Sequence, residues 1–476
     1  MPMLTNWIRK GCASWQRRCP AFGGFLRQTF RGLSRSFLVD LKNLGEVVEE
    51  FSRRKGVWGE LWGELSRGLT LERRDGRPHA LEPWREVSLA VRIVRKGRAG
   101  LSYTTQAKPE AVRRAAERAY EAACFSEEEA VIPEGETLPD LPSFSSEAFP
   151  SPEELEADLI SAEEAARAAF PEVHRLERAV LSCGEESLFI FQTRGISATF
   201  SRPSWSFLLS LVARRGEEER TGWEWREVVR REDLSPEVLA RRAAEKAVAL
   251  LGAEKGPSRR LAGLFPPEAA VALLETLSFS FCGDEVAKGR SRLAGKLGQR
   301  IFSEKLTLID DGLYPRGLES RPFDDEGFPQ KRTILLDQGT VAAFLYDGLW
   351  GRRAGKASTG NARRPSFKAL PRIAPTNLYL VPGESPLEDL RSAEPVFEVR
   401  EILGWHTADP ISGDFSVGVS GLLYQGGQRR PLSGMALSGN LFELLSRVEA
   451  LGNDLTFYGS LGAPSLFIPD LDLAGS

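Results

Sequence analysis

Apolar residues recur along this chain at two spacings, and the switch between them marks its elements. Within residues 40–54, Leu41, Leu44, Val47, Val48 and Phe51 fall three or four positions apart and predict an amphipathic helix. Residues 69–73 and 87–94 predict strands, the second because Val87, Leu89, Val91 and Ile93 alternate with Ser88, Ala90, Arg92 and Val94. Lys96-Gly97-Arg98 turns the chain into a third strand, 99–104, and an alanine- and arginine-rich helix follows over 108–124. Residues 126–150, rich in proline, serine and acids, read as an extended linker. Ser151-Pro152-Glu153-Glu154 signals a helix start: Ser151 caps, Pro152 suits the first turn and Glu154 can bond back to the cap. That helix is expected to end at Ala169. Strands are expected at 175–182, 187–193, 198–200, 205–213 and 221–229, and Ser235-Pro236-Glu237 opens a helix that runs to Leu251.

Beyond residue 257 the sequence becomes glycine-rich and strand-rich, with helices predicted at 266–281 and 440–451. Phe415, Val417 and Val419 alternate with Ser416, Gly418 and Ser420, and Gly426-Gly427 turns the chain, which predicts a hairpin in a curved sheet. If its edge faces a cleft, an extended peptide can add as a strand. The division expected is a basic leader (1–36), an α/β domain (37–125), the linker (126–150), a middle α/β segment packing with the first (151–255) and a β-rich C-terminal domain (256–476). The fold class is α+β: an N-terminal α/β region followed by a β-rich C-terminal domain with a curved, largely antiparallel sheet that closes on itself. No repeat of 20 to 50 residues is visible, which argues against a solenoid or propeller.

Composition narrows the chemistry. The 476 residues are 42% hydrophobic and 27% charged, with net charge −3 and pI near 6.0, which suits a soluble protein and gives no basic face for nucleic acid. No apolar run is long enough to span a bilayer, so no stable membrane insertion is expected. The five cysteines, Cys12, Cys19, Cys124, Cys183 and Cys282, form no CxxC pair and fit free thiols in a reducing, cytoplasmic setting. Only three histidines occur, His79, His174 and His406, all far apart, whereas hydrolytic zinc sites usually take two or three. The first 39 residues hold seven Arg and Lys and no acid; they read as a disordered leader, with an amphipathic membrane-touching or targeting helix as the alternative. No GxSxG elbow or phosphate-binding glycine loop is found.

A series of short motifs carries more. In order they are Gly289-Arg290-Ser291 with Lys296-Leu297-Gly298, Thr307-Leu308-Ile309-Asp310-Asp311, Arg321-Pro322-Phe323-Asp324-Asp325-Glu326-Gly327, Ser358-Thr359-Gly360-Asn361, Pro375-Thr376-Asn377-Leu378, Ser412-Gly413-Asp414-Phe415-Ser416 and Gly439-Asn440-Leu441 ahead of Gly452-Asn453-Asp454. Their order and spacing resemble the TldD/PmbA family of peptidase-family proteins, also called modulators of DNA gyrase. The resemblance covers residues 37–474 and leaves the leader unexplained.

In that family the TldD type carries HExxxH on a helix shortly before a Gly-Asp pair. The resemblance implies a glutamate acting as general acid–base, histidines holding zinc, and a further ligand near the C-terminus. Alignment on Gly283-Asp284 places Leu274 and Phe279 at the histidine positions and Glu275 at the glutamate, and residues 455–464 contain no Cys or His. The resemblance therefore implies a PmbA/TldE-type subunit with no cofactor of its own, zinc being expected only in a TldD-type partner. Such a chain would form a heterodimer or higher oligomer with the HExxxH subunit, a homodimer being possible. It would help to form the substrate chamber of a cytosolic metalloprotease complex acting on unfolded or leader peptides, in peptide maturation or degradation. Whether the chain is itself an enzyme stays open. The alternatives are a stand-alone peptidase with an unrecognised site, for which Glu275 is the candidate base, and a non-enzymatic peptide-binding or scaffold protein. Ser358, Thr359, Gly360 and Asn361 are candidates for a cleft lining, because a small flexible loop allows close approach of a peptide backbone. Asp324, Asp325 and Glu326 are candidates beside them; as a carboxylate cluster they also suit a hard cation, against the simpler reading of turn residues.

Overall fold

The computed structural model describes residues 41–141, 149–393 and 395–475; the basic leader and part of the linker lie outside the described residues. The chain divides into two compact units. The first takes the described residues up to Ala213, Thr221–Glu245 and the distant segment Arg364–Pro371. The second takes Arg214–Arg220, Lys246–Arg363 and the described residues from Arg372 on. Among the described residues no helix is long and apolar enough to cross a membrane.

The first unit is built on α1 (Leu41–Lys55), β1 (Trp58–Arg74), β2 (Arg77–Arg95), β3 (Arg98–Thr104), α2 (Pro109–Phe125), α3 (Pro152–Ala169), β4 (Val173–Gln192), β5 (Ser197–Arg215) and β6 (Glu218–Val228), with α4 (Pro236–Ala249) after them. The strands make one sheet in the order β3-β2-β1-β4-β5-β6. Side chains alternate across a strand, so Leu61 and Leu65 share one face with Leu89, Val91 and Ile93. There they meet Leu44, Val48 and Phe51 of α1 and Val112, Ala115 and Ala116 of α2. The capping box read from sequence closes as expected: Glu154 N donates to Ser151 Oγ (3.1 Å) and Ser151 N to Glu154 Oε2 (2.6 Å).

Four strands run much longer than their apolar patterns predict, at 17 to 20 residues. Residues 77–86 and 201–204 join their strands without a glycine, whereas the extra length of β1 and β4 passes through glycines that make room rather than turns. A Cβ on Gly63 would lie 2.0 Å from the Phe189 ring, and one on Gly68 or Gly184 would strike the Trp84 indole at 2.3 and 2.7 Å. Large rings fill the missing side-chain volume, and the strands continue through.

At one end of the sheet Glu60 is fully buried and gathers donors from three segments. Arg92 donates through Nε (3.1 Å) and Nη2 (2.7 Å), Gln192 through Nε2 (3.0 Å) and Arg364 through Nη2 (2.9 Å). The two guanidiniums also lie over the rings of Trp58 and Trp62 at 5.2 and 5.4 Å. Arg364 begins the segment that returns to this unit from far along the chain, so Glu60 is its anchor. A further buried cation, Arg73, ties the sheet to α3 through Glu156 and Glu163, each at 3.0 Å.

The second unit contains a closed circuit of five strands. Arg259–Phe265 pairs in parallel with Val396–Leu403, which is antiparallel to Asp414–Gln425, itself the partner of Gln428–Asn440. Leu466–Ala474 pairs with both Arg259–Phe265 and Gln428–Asn440 and completes the ring. The hairpin expected at Gly426-Gly427 is present, both glycines holding positive φ (63° and 68°) as a two-residue turn requires. A second sheet of six short strands includes Leu308–Asp311, Leu378–Leu380 and Leu461–Ala463. The helix expected at 440–451 covers only Leu441–Ser446, because Ala450–Leu451 instead pairs with Leu466 and Phe467. Overall the fold is α+β with a curved, largely antiparallel sheet, as the sequence pattern indicated.

Removal of the Glu60 carboxylate would leave Arg92 and Arg364 buried with their shared counter-charge gone. Glu60→Ala is therefore expected to destabilise the protein by about 3–5 kcal/mol, read from urea unfolding. A loss below about 1 kcal/mol, the scale of a surface pair, would show that this buried cluster does not anchor the returning segment.

Candidate functional site

Helix α5 (Pro267–Ser278) carries the degenerate motif. Proline at its start and Leu273, Leu274 and Leu277 on one face fix its seat on the core of the second unit. Leu274 is buried in that core, Glu275 is exposed, and Phe279 is half-buried in a short 3₁₀ turn that continues the helix. Strands Leu461–Ala463 and Thr456–Tyr458 pack against α5, which brings the C-terminal segment beside the motif. Trp405 Nε1 donates to Thr276 Oγ1 (2.9 Å), so the turn bearing His406 lies against the same helix. Leu274 and Phe279 offer no lone pair, and residues 455–464 hold no Cys or His. Zinc needs three or four such donors, and this set does not fit it. Among the described residues no group of three or more His, Cys, Asp or Glu is placed to hold a metal ion.

The other sequence candidates converge on one buried polar network, whereas no described bond joins Glu275 to it. Asp324 is fully buried, and its carboxylate accepts the backbone N–H groups of Glu326 (2.9 Å), Phe328 (2.9 Å) and Ala362 (3.0 Å). Asp325 N donates to Ala362 O (2.9 Å) and its carboxylate takes Arg321 Nη1 (3.0 Å). Glu326 accepts from Gly348 N (3.0 Å). The motif at 324–326 is thereby bound to the loop at 358–361. In that loop Ser358 Oγ accepts from Gly360 N (3.1 Å), and Thr359 Oγ1 donates to Asn361 Oδ1 (2.6 Å). Gly360 holds φ 77°, and a Cβ there would stand 2.4 Å from Pro329 O, so both conformation and space demand glycine.

Asn361 continues the network: its Nδ2 donates to Asp310 Oδ2 (2.7 Å), which also accepts from Thr376 Oγ1 (3.0 Å), while Asp310 Oδ1 accepts Thr376 N (2.6 Å). Asn377 Nδ2 bonds Asp311 O and Ser320 Oγ. These bonds join five segments far apart in sequence. Ser358 and Asn361 are buried, Thr359 is half-buried, and the three acids at 324–326 are buried. Their described contacts include backbone amides, the Arg321 guanidinium on Asp325, and the Tyr346 carbonyl, which accepts from Ser358 Oγ and Thr359 Oγ1.

Burial dominates the electrostatics. It pushes Asp310 up to about 6 against the lowering bonds from Asn361 and Thr376. It holds Asp324 well above the ordinary aspartate range, and the neighbouring Glu326 charge adds to the effect. Asp347 rises to about 7, first through burial and then through the Glu326 charge, although Trp350 N donates to it at 2.7 Å. Asp347 was not singled out from sequence; the available signal was Asp-Gly ahead of Leu-Trp, a helix cap. Cys282 beside the motif is also buried, and burial pushes its thiol up to about 12.

Two outcomes follow. Asp324→Ala would strand three buried amides and is expected to cost on the order of 3 kcal/mol in urea unfolding. An aspartate in the unfolded chain releases its proton near 3.8, whereas Asp347 holds it to about 7. Between these values the folded state binds more proton, so the stability from this group is full at low pH and is lost as pH rises through about 7. Asp347→Asn keeps the cap and removes the charge. Its stability relative to the parent should climb from pH 4 to pH 7.5 in parallel unfolding titrations.

Comparison with known proteins now places the chain. Sequence-family profiles described as PmbA/TldA metallopeptidase domain 1, central domain and C-terminal domain match residues 63–123, 146–251 and 258–475. An uncharacterized protein of Methanocaldococcus jannaschii is 36% identical over 202 residues, 42% of this chain and 47% of that one. The metalloprotease TldD homolog of Buchnera aphidicola is 26% identical over 87% of this chain and 89% of its own length. Metalloprotease PmbA of Escherichia coli O157:H7 is 24% identical over 91% and 96%. In fold, the crystal structure of TldE from Thermococcus kodakarensis superposes with a TM-score of 0.84 at 23% identity, over 91% of this chain and 100% of that one. With all three profiles matched in order and relatives aligned over nearly the whole length, the chain belongs to the TldD/PmbA family.

Proposed function

We propose that this chain is the metal-free, TldE-type subunit of a TldD/PmbA metalloprotease complex. The observation that carries the reading is chemical. The helix that would bear HExxxH presents Leu274, Glu275 and Phe279, one oxygen donor flanked by two side chains that cannot ligate. Relatives named TldD and PmbA both align with the chain, so the subtype rests on these positions. The chain's role is then to pair with an HExxxH subunit and complete a chamber for unfolded or leader peptides in the cytoplasm. The catalytic metal would be supplied in trans. Within this chain Glu275 lacks the zinc-bound water that a metalloprotease glutamate deprotonates. The network joining Asp310, Asp324 and Asn361 holds the loops at 324–326 and 358–361 in place, and we propose that these loops frame the chamber wall.

The purified chain is expected to contain substoichiometric zinc by plasma mass spectrometry and to leave unfolded peptides uncut. Pulled from its native host it should bring down an HExxxH chain, and the mixture should cleave peptides in a chelator-sensitive way. One zinc per chain would overturn the metal-free assignment. Cleavage by the chain alone, resistant to chelator and lost in Glu275→Ala, would point to a stand-alone peptidase. A homodimer with no HExxxH partner would remove the complex.

A further inference from the structure

The sheet of the first unit carries α1 and α2 on one face, and its opposite face bears a feature that the peptidase reading does not use. A groove of about 460 Å³ is lined by Arg74, Glu177, Arg178, Leu208, Ser210 and Trp223. That volume falls in the range of small-ligand sites. The strand register explains its chemistry. Arg77 of β2 stands opposite Arg74 of β1, Arg74 opposite Arg178 of β4, and Arg178 opposite Ser210 of β5. Residues opposite one another in antiparallel strands share a face, so three arginines occupy a single cross-strand row.

Like charges placed this way repel, and a sheet keeps them only where counter-charge is at hand. Among the described bonds, the two lining arginines share one carboxylate. Glu72 takes Arg74 Nε together with Arg178 Nε (3.2 Å) and Nη2 (3.3 Å). The second acid in the groove, Glu177, is engaged elsewhere, by Ser210 Oγ (2.8 Å) and Arg175 Nη2 (3.1 Å). Asp75 lies in the β1–β2 turn beyond the row. The side chains of Arg74 and Arg178 stay half exposed, at 50% and 49%, and the bonds to Glu72 use only some of the five donors each guanidinium carries. Beside them Trp223 leaves 46% of its surface in water on β6, with Leu208 completing an apolar wall.

We propose that this groove binds an acidic peptide segment, a side-chain carboxylate seating on the Arg74–Arg178 pair and the adjoining apolar or aromatic residue packing on Trp223. The unbalanced cation row supplies the carboxylate recognition, which Arg makes bidentate. The apolar wall favours a peptide over a small inorganic anion, which has no use for an indole. Its lining residues belong to the first unit, whereas α5 belongs to the second.

The test is fluorescence anisotropy with the full chain and two labelled peptides, one with an aromatic residue followed by two aspartates, the other with asparagines in their place. The chain is expected to bind the aspartate peptide about tenfold more tightly, a ratio that falls as salt rises. Arg74→Gln with Arg178→Gln should bring the two affinities within about twofold of each other, and Trp223→Ala should weaken both peptides about fivefold or more. Matching circular dichroism melts would verify that the variants fold. No discrimination by the parent chain, discrimination that survives the double arginine change, or binding indifferent to Trp223→Ala would each overturn the proposal. Binding is read without cleavage, so its failure leaves the subunit assignment standing.

Discussion

A carboxylate withdrawn from water must be met by donors, and the second unit is organised around that requirement. Asp324 and Asp310 are buried, and six hydrogen bonds from three segments converge on them. Because most of those donors are backbone amides, the carboxylates fix chain paths rather than side chains. A loop held by its own N–H groups cannot move without leaving those groups and the buried carboxyl unmatched. The motifs at 310–311, 324–326, 358–361 and 376–377 are thus members of one structural unit dispersed through the sequence.

This bears on how much could be read beforehand. Helix positions were legible to within a residue or two where caps were strong, as at Ser151, because capping chemistry is local. The closure of the C-terminal sheet was legible as a class, but its circuit was not: pairing of Leu473 with Leu437 is a contact without any local signature. Strand lengths in the first unit were misjudged at residues 77–86 and 201–204, which hold no glycine, and at positions beside Gly63, Gly68 and Gly184. Their partners, Phe189 and Trp84, lie on other strands, and only the fold reveals that rings occupy the vacant volume.

The candidate site divides the same way. That Leu274 and Phe279 stand at ligand positions follows from residue identity alone and needed no coordinates. That Asp324 faces three amides, or that Asp347 carries a raised pKa, depends on burial, which sequence spacing does not encode. Acidic motifs invite a metal or a substrate in the reader's mind. Here the surroundings show backbone amides on Asp324, a guanidinium on Asp325 and the Asn361 and Thr376 side chains on Asp310, while the cationic groove near Trp223, with no motif to announce it, emerges only from strand register.

The anchoring of Arg364 on Glu60 has a consequence for biosynthesis. The segment Arg364–Pro371 belongs to the first unit although more than a hundred residues of the second precede it in the chain. Until Arg364 has been made, the Glu60 cluster lacks its second cation. The first unit therefore cannot reach its final state cotranslationally as a separate N-terminal body. Its last segment, Arg364–Pro371, is made only after Lys246–Arg363 of the second unit.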